Sequence, residues 1–284
     1  MTTSTGSGLW NEGFGAVGAT LKALEDAGAT MEHLKLIRSD GSVAKGIVEF
    51  LCKVSKSFYA DEEVASSYTY PNGYALKTLH EQIAILSKLF GLDGAKALAY
   101  AENLPQLPEG AEGWIAVPKW QAIADTYGKA VEKVLALLGE SRKFKNWREG
   151  QLDEKYLRQT ERTEQMLAKF CEQQEGDIII IPGQFGLRHR GRSVRRARVV
   201  FVGNEFGFGS FINGCMLLTH PEREQTWEQL HIDCAGDEYA PDGDGEFVYA
   251  PGFDWGDGGL RFGAGWAGIT NKQFGSASGF LPQD

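Results

Sequence analysis

Residues 177–182 read Asp-Ile-Ile-Ile-Ile-Pro and divide the sequence into two halves of different character. Four consecutive isoleucines are apolar and β-branched, which is typical of a strand buried on both faces. The sequence before this run repeats apolar residues at the spacing of helices, and the sequence after it is rich in glycine and short alternating segments. The run therefore predicts a buried strand where a helical half meets a β-rich half.

Helical periodicity dominates the sequence before the run. Over residues 119–138 the apolar positions recur every three or four residues, and Pro118 and Gly139 flank them as start and stop signals. Similar apolar stripes run through residues 152–174 and residues 76–90. We expect one long helix in each of these three segments.

The same patterns predict four segments along the chain. Near the amino end, helices are expected over 14–27, after Thr30 as an N-cap, and from Ser42 onward. The segments are a disordered tail at residues 1–8, a small helical module at 9–58, a helical region at 75–175 and a β-rich domain at 176–284.

The glycine-rich half predicts several short strands joined by tight turns. The strands are expected at residues 215–220, 229–234, 246–250 and 260–262. Short strands with glycine-rich turns are typical of compact β units. The predicted fold class is therefore α+β, with a helical N-terminal half followed by a β-rich C-terminal unit that forms a small barrel or a sandwich.

The composition excludes several classes of protein. A hydrophobic content of 42% and a charged content of 24% indicate a globular chain. The longest apolar runs are too short to cross a bilayer, and the first residues lack the charge and apolar core of a secretory signal, so no membrane partner is expected. The four cysteines contain no C-x-x-C pair, which favours free thiols in the cytoplasm.

A cluster of basic residues lies just after the junction. Residues 187–198 read L-R-H-R-G-R-S-V-R-R-A-R in a chain whose net charge is −9. Guanidinium groups pair with phosphate and carboxylate oxygens, so the cluster predicts contact with an anionic partner, either nucleic-acid phosphates or an acidic protein surface. The run fits a strand or a helix capped by Ser193. The candidate anion-binding residues are Arg188, His189, Arg190, Arg192, Arg195, Arg196 and Arg198.

An internal partner for these arginines is the competing interpretation. Residues 199–284 contain thirteen acidic residues and only three basic ones. Carboxylates of this segment could therefore neutralise the arginines within the fold, in which case the cluster would have a structural role. The sequence leaves both interpretations open.

Histidines and an aspartate in the β-rich half suggest a divalent metal. Two histidines and one carboxylate can hold a catalytic metal with open positions for water or substrate. On predicted alternating strands, His231 and Asp233 share a face, and His220 could join them from a neighbouring strand. The candidate metal ligands are therefore His220, His231 and Asp233.

The sequence contains no Walker A loop, no G-x-S-x-G elbow and no H-E-x-x-H motif. The leading hypothesis is a non-enzymatic binding or interaction protein that uses the arginine segment to contact an anionic partner. One alternative is a metal-dependent small-molecule enzyme with the His/His/Asp site. Another is a structural or assembly subunit, and a homo-oligomer is compatible with all three.

Overall fold

A computed structural model describes residues 14–55 and 57–282, without the side chains of residues 14–17, 48, 52, 53 and 55. The chain divides into two compact units, residues 1–58 and residues 59–284. The predicted tail at residues 1–8 lies outside the described residues. The predicted segments 75–175 and 176–284 fall together in the second unit.

The first unit contains three helices, as the sequence predicts. They are α1 (Phe14–Asp26), α2 (Met31–Ser39) and α3 (Gly41–Ser55). Thr30 caps α2, and its backbone N–H donates to Nδ1 of His33 at 3.0 Å. This bond satisfies one of the donors that a helix end leaves without an intrahelical partner.

Seven helices and eleven strands make up the described part of the second unit. The helices are α4 (Leu79–Phe90), α5 (Ala95–Ala101), α6 (Trp120–Ile123), α7 (Tyr127–Ser141), α8 (Glu161–Gln173), α9 (Val194–Val200) and α10 (Ser210–Thr219). The strands are β1 (Gly113–Pro118), β2 (Phe144–Asn146), β3 (Leu157–Gln159), β4 (Ile178–Gln184), β5 (Glu205–Gly207), β6 (His231–Asp233), β7 (Asp237–Tyr239), β8 (Tyr249–Gly256), β9 (Gly259–Trp266), β10 (Phe274–Ser276) and β11 (Ser278–Phe280).

The isoleucine run forms β4, an inner strand of a four-stranded sheet. The strand order is β1-β4-β11-β5, and all seven residues of β4 are buried. It pairs antiparallel with β1, where Ile115 lies opposite Ile181. The prediction of a strand buried on both faces is confirmed, because helices and the remaining core cover the apolar side chains that point to either side.

A second, seven-stranded sheet contains most of the glycine-rich strands. Its order is β10-β6-β8-β7-β3, with β9 paired to β8 and β2 paired to β9. The long hairpin of β8 and β9 runs in register from Tyr249 opposite Trp266 to Gly256 opposite Gly259. The α+β class is confirmed. The barrel alternative is wrong, because the strands form two open sheets rather than one closed on itself.

Several sequence expectations about helices and strands are wrong. In the segment 152–174 only residues 161–173 form a helix, α8, because residues 157–159 form strand β3 and Thr160 caps the helix after it. The strand expected at residues 246–250 begins only at Tyr249, as β8.

Residues 215–219 belong to α10, a helix in which every residue is buried, and not to a strand, and His220 is the C-cap of this helix. An apolar run has no polar face, so its period cannot distinguish a buried helix from a buried strand. Residues 119–138 form two helices rather than one, because Thr126 caps α7 after a break that follows α6.

Helix α10 lies against α7 and the sheets. A Cβ atom at Gly214 would overlap the side chain of Val134 on α7, so only glycine permits this approach. Among the described residues, no helix combines the length and the apolar character that a membrane span needs.

Candidate functional site

The arginine segment forms two short helical pieces. A 3-10 turn covers Leu187–His189, and α9 follows from Val194. Ser193 is the N-cap, and its hydroxyl accepts a hydrogen bond from the backbone N–H of Arg196 at 3.1 Å. Of the two conformations that the sequence left open, the capped helix is observed for the second half of the segment.

Two glutamates of the segment just after residue 58 pair with the arginines of α9 and its cap. Glu62 accepts from Nε of Arg195 at 2.8 Å through both oxygens. Glu63 pairs with Arg196 at 2.5 Å and with Arg192 at 3.3 Å. The hydrogen bond from Arg195 lowers the pKa of Glu62, so this carboxyl group stays ionised. These two glutamates thus pair with three of the six arginines, and Glu205 pairs with a fourth, Arg188.

A buried chain of hydrogen bonds joins Arg192 to Glu205 through His189. Arg192 lies 2.9 Å from Nδ1 of His189, whose Nε2 lies 2.7 Å from Glu205. Burial lowers the pKa of His189, which favours a neutral ring that accepts at Nδ1 and donates at Nε2. Burial opposes ionisation of Glu205, but the bond from His189 and the hydroxyl of Ser278 at 2.6 Å keep its pKa below the usual range.

The three remaining arginines differ in exposure. Arg198 is partly buried and donates to the backbone oxygens of Ala235 at 2.9 Å and Asp237 at 2.5 Å. Arg188 and Arg190 are exposed. Arg188 lies 3.3 Å from Glu205, and Arg190 donates to the backbone oxygen of Tyr68 at 3.0 Å. All seven predicted anion-binding side chains therefore have internal partners, and Arg188 and Arg190 are the most exposed of the six arginines.

The three predicted metal ligands lie in separate environments. His220 ends α10, where Nε2 accepts from the backbone N–H of Lys77 at 3.0 Å and Nδ1 lies 2.9 Å from the hydroxyl of Thr219. His231 is fully buried, and its Nδ1 lies 2.7 Å from Glu224. Across residues 14–55 and 57–282, no group of three or more His, Cys, Asp or Glu side chains could hold a metal ion.

Asp233, the third predicted ligand, lies instead at a cavity of about 270 Å³ above β6, β8 and β9. We call this cavity the Asp233 cleft. Its walls come from the sheet, from the start of α9 and from the loop before β10. It is lined by Val194, Asp233, Ala250, Gly252, Asp254, Gly263, Ala264, Gly265, Trp266, Ile269, Asn271 and Phe274.

The carboxylate of Asp233 has no hydrogen bond and no ion pair with any described residue. Burial raises its pKa to about 7, although His231 and Arg198 nearby favour the charged form. A desolvated carboxylate without a partner is costly, and perturbed acids in clefts are typical of functional sites. The H-x-D pattern in the sequence therefore identified a residue at a cavity, although its predicted partners do not join it there.

Glycines form the floor of the Asp233 cleft. Asp233 on β6 lies opposite Gly252 on β8, which lies opposite Gly263 on β9. Directly opposed residues share one face of a sheet, so these three and the next pair, Ala250 and Gly265, all face the cleft. A Cβ atom at Gly263 or Gly265 would meet nothing within 4 Å, and neither residue has a positive φ.

Neither backbone strain nor crowding therefore requires glycine at positions 263 and 265. Glycine in the interior of a strand weakens it, and it often marks a place where a ligand approaches the backbone closely. The sequence contained this signal as glycines at alternate positions, 263 and 265, but the pairing with Gly252 depends on strand register. Sequence reasoning accordingly missed the floor of the cleft.

Aromatic and apolar side chains form the rim. Trp266 is 45% exposed and Ile269 is 59% exposed. The guanidinium carbon of Arg195 lies 4.8 Å from the ring centre of Trp266 and 4.1 Å from that of Tyr59. The ion pair of Arg195 with Glu62 and this cation–π stacking together fix one wall of the cleft.

A second cavity of about 360 Å³ lies between β1, α8 and α10. Its one lysine, Lys119, donates to the backbone oxygens of Cys171 at 3.3 Å and Gln174 at 2.8 Å. Burial raises the pKa of Cys171, which disfavours the reactive thiolate. This groove therefore offers mainly apolar contact, whereas the Asp233 cleft presents an unpaired polar group.

In comparisons with known proteins, the chain matches no protein-family model, no curated protein and no solved structure.

Proposed function

We propose that this protein binds a small organic molecule in the Asp233 cleft. The observation that carries the proposal is the unpaired carboxylate of Asp233, which lies partly buried at a cavity with an aromatic rim. Ligand sites are typically concave and largely apolar, with a few convergent polar groups that fix orientation. The open space above Gly263 and Gly265 supports the same proposal, since these residues leave room beside the backbone.

A fragment screen tests this proposal. Cationic, neutral and anionic fragments are screened against the full chain by saturation-transfer NMR, and each hit is repeated with the Gly263→Val variant. Valine favours a strand and would fill the cleft without overlapping a neighbour at its Cβ atom. We expect one class of fragment to bind the native protein and to lose at least about tenfold in affinity with the variant.

Gly203→Val is the matched control, because a Cβ atom at Gly203 also meets nothing within 4 Å and the residue lies outside the cleft. Gly265→Val provides a second cleft-filling variant, and thermal melting verifies that each variant is folded. The proposal is refuted if no fragment binds, or if every hit binds the folded Gly263→Val and Gly265→Val variants as tightly as the native protein.

A second candidate function is contact with an anionic macromolecule, either nucleic acid or an acidic protein surface. Exposed Arg188 and Arg190 support it, because both can reach an external phosphate or carboxylate. Filter binding of mixed DNA and RNA at several salt concentrations tests the nucleic-acid form. Two phosphate contacts predict a slope of log affinity against log salt of about −1.8 for duplex DNA. Absence of binding at low salt would refute it.

We also propose that the protein is located in the cytoplasm. Cys171, Cys215 and Cys234 are free thiols, and burial raises the pKa of each. Three unpaired thiols, of which Cys215 and Cys234 are buried, support a reducing compartment. Fractionation of cells that express a tagged chain would test this location.

A further inference from the structure

The charges around the Asp233 cleft indicate what kind of ligand it takes. We infer that the ligand is a small organic ammonium ion whose N–H groups donate to the carboxylate of Asp233. This inference rests on the proposed function, since it assigns a chemical class to the ligand of the same cleft.

The second carboxylate at the cleft already has a partner. Asp254 accepts from Nε of Arg261 at 2.7 Å and from Nη2 at 3.1 Å. Arg261 also lies 3.5 Å from Asp257, so its guanidinium group forms ion pairs with two carboxylates. Arg261 therefore neutralises Asp254, and Asp233 is the carboxylate at the cleft that has no ion pair with a described residue. Its negative charge favours a cation and repels an anion.

The other two arginines near the cleft, Arg195 and Arg198, form hydrogen bonds with groups other than Asp233. Arg195 forms its ion pair with Glu62 and stacks on the ring of Trp266. Arg198 favours the charged form of Asp233, but its N–H groups donate to the backbone oxygens of Ala235 and Asp237. Among the described residues, Asp233 therefore has no cation in hydrogen-bond contact. An ammonium ion from outside would supply the missing donor.

The remaining walls suit the carbon skeleton of such a ligand. Phe274, Trp266, Ile269 and Val194 present apolar surface, and the glycine floor leaves space next to the backbone. Aromatic rims attract cations as well as hydrocarbon. A neutral ligand would leave the carboxylate of Asp233 without a charged partner, which is a costly arrangement for a desolvated carboxylate.

Three matched probes test the inference, namely benzylammonium chloride, benzyl alcohol and sodium benzoate. They have the same ring and differ in the charge of the polar group. Isothermal titration at about pH 8 measures the affinity of each for the native protein and for the Asp233→Asn variant. We expect benzylammonium to bind at least about tenfold more tightly than benzyl alcohol, and benzoate more weakly than either.

The Asp233→Asn variant preserves the size of the side chain and removes its charge. We expect it to abolish the preference for benzylammonium over benzyl alcohol, whereas Asp242→Asn, at an exposed carboxylate outside the cleft, should preserve the preference. Thermal melting verifies that both variants are folded.

Each other result overturns the inference. Equal binding of the alcohol and the ammonium ion would do so, as would a preference that survives in folded Asp233→Asn protein or the absence of ammonium binding. A neutral or anionic fragment that binds the native protein and is lost in Gly263→Val would overturn the inference but leave the proposed function intact. A fragment screen without any hit would overturn both.

Discussion

The Asp233→Asn substitution should make the protein more stable above neutral pH. In the native protein the carboxylate of Asp233 is charged at high pH, although it is partly buried and lacks a hydrogen-bond or ion-pair partner among the described residues. Asparagine has nearly the same volume and carries no charge, so the variant avoids the desolvation cost. If removal of the charge of Asp233 stabilises the protein, this carboxylate has a role other than folding.

The size of this effect follows from the pKa of Asp233. Burial raises that pKa from 3.8 to about 7. Each unit of difference between folded and unfolded states corresponds to about 1.4 kcal/mol, which gives an upper bound of about 4 kcal/mol above pH 7. Asp233 is only partly buried, so solvent screens part of its charge, and we expect Asp233→Asn to raise the free energy of unfolding by about 2 kcal/mol at about pH 8.

The pH dependence gives the sign of the effect. Between pH 3.8 and about 7 the folded state holds a proton on Asp233 that the unfolded state has lost, so the native free energy of unfolding falls as pH rises through this window. The variant lacks this contribution. The difference between the two proteins should therefore be close to zero near pH 4 and grow up to about pH 7.

Urea unfolding at a series of pH values measures this difference, with circular dichroism as the signal. Asp254→Asn is the matched control on the same face of the sheet, where the carboxylate is paired with Arg261. It should lower the free energy of unfolding by about 1 kcal/mol. If Asp233→Asn lowers stability at pH 8, or if its effect is the same at pH 4 and pH 8, the carboxylate is not an unpaired, desolvated acid.

Three further substitutions test the contacts that surround the site. Glu205→Gln should lower the free energy of unfolding by about 2 kcal/mol, because it removes the ionised acceptor of the hydrogen bonds from neutral His189 and from Ser278; unchanged urea unfolding would contradict this. Glu62→Gln should cost about 1 to 2 kcal/mol by weakening the pair with Arg195, and the loss should shrink in high salt. Gly214→Ala should cost about 2 kcal/mol through overlap with α7, measured by the same unfolding curves.

The exposed pair of Lys96 and Glu175 provides the control for these ion pairs. Both side chains are more than half exposed, at 62% and 79%. Glu175→Gln should therefore leave the unfolding curve unchanged. If Glu62→Gln and Glu205→Gln behave like Glu175→Gln, the arginine segment does not hold its neighbours in place.

The sequence correctly predicted those helices and strands whose residue pattern and capping residues match their surroundings in the fold. Four isoleucines predict a strand that is buried on both faces, and β4 lies inside its sheet with helices around it. Thr30 predicts a helix start and caps α2. These elements are predictable because composition and capping chemistry act over a few residues.

Helix α10 could not be predicted in the same way. Its residues are all buried, so it lacks the exposed polar face that would reveal a helical period. Gly214 lowers helix propensity, yet close contact with Val134 on α7 requires it. Tertiary packing thus decides the conformation of this segment, and local pattern does not.

The candidate site was only partly predictable for a related reason. The H-x-D pattern identified His231 and Asp233, but the alternation of β6 alone does not show that Glu224 pairs with His231. Glu224 has a φ of 54°, a left-handed backbone conformation that non-glycine residues seldom adopt. The folded chain imposes this conformation, and the sequence does not predict it. The glycine floor likewise depends on which residues of β8 and β9 lie opposite each other.

Carbon-13 NMR of the Asp233 carboxyl carbon in selectively labelled protein tests the central claim most directly. The Asp233→Asn variant assigns the resonance, and pH titrations are recorded with and without benzylammonium. We predict a midpoint near 7 in the free protein, which falls when the ammonium ion binds because the cation favours the ionised carboxylate. A midpoint near the ordinary value of 3.8, or one that benzylammonium does not move, would contradict the assignment of Asp233 as the binding group for a cation.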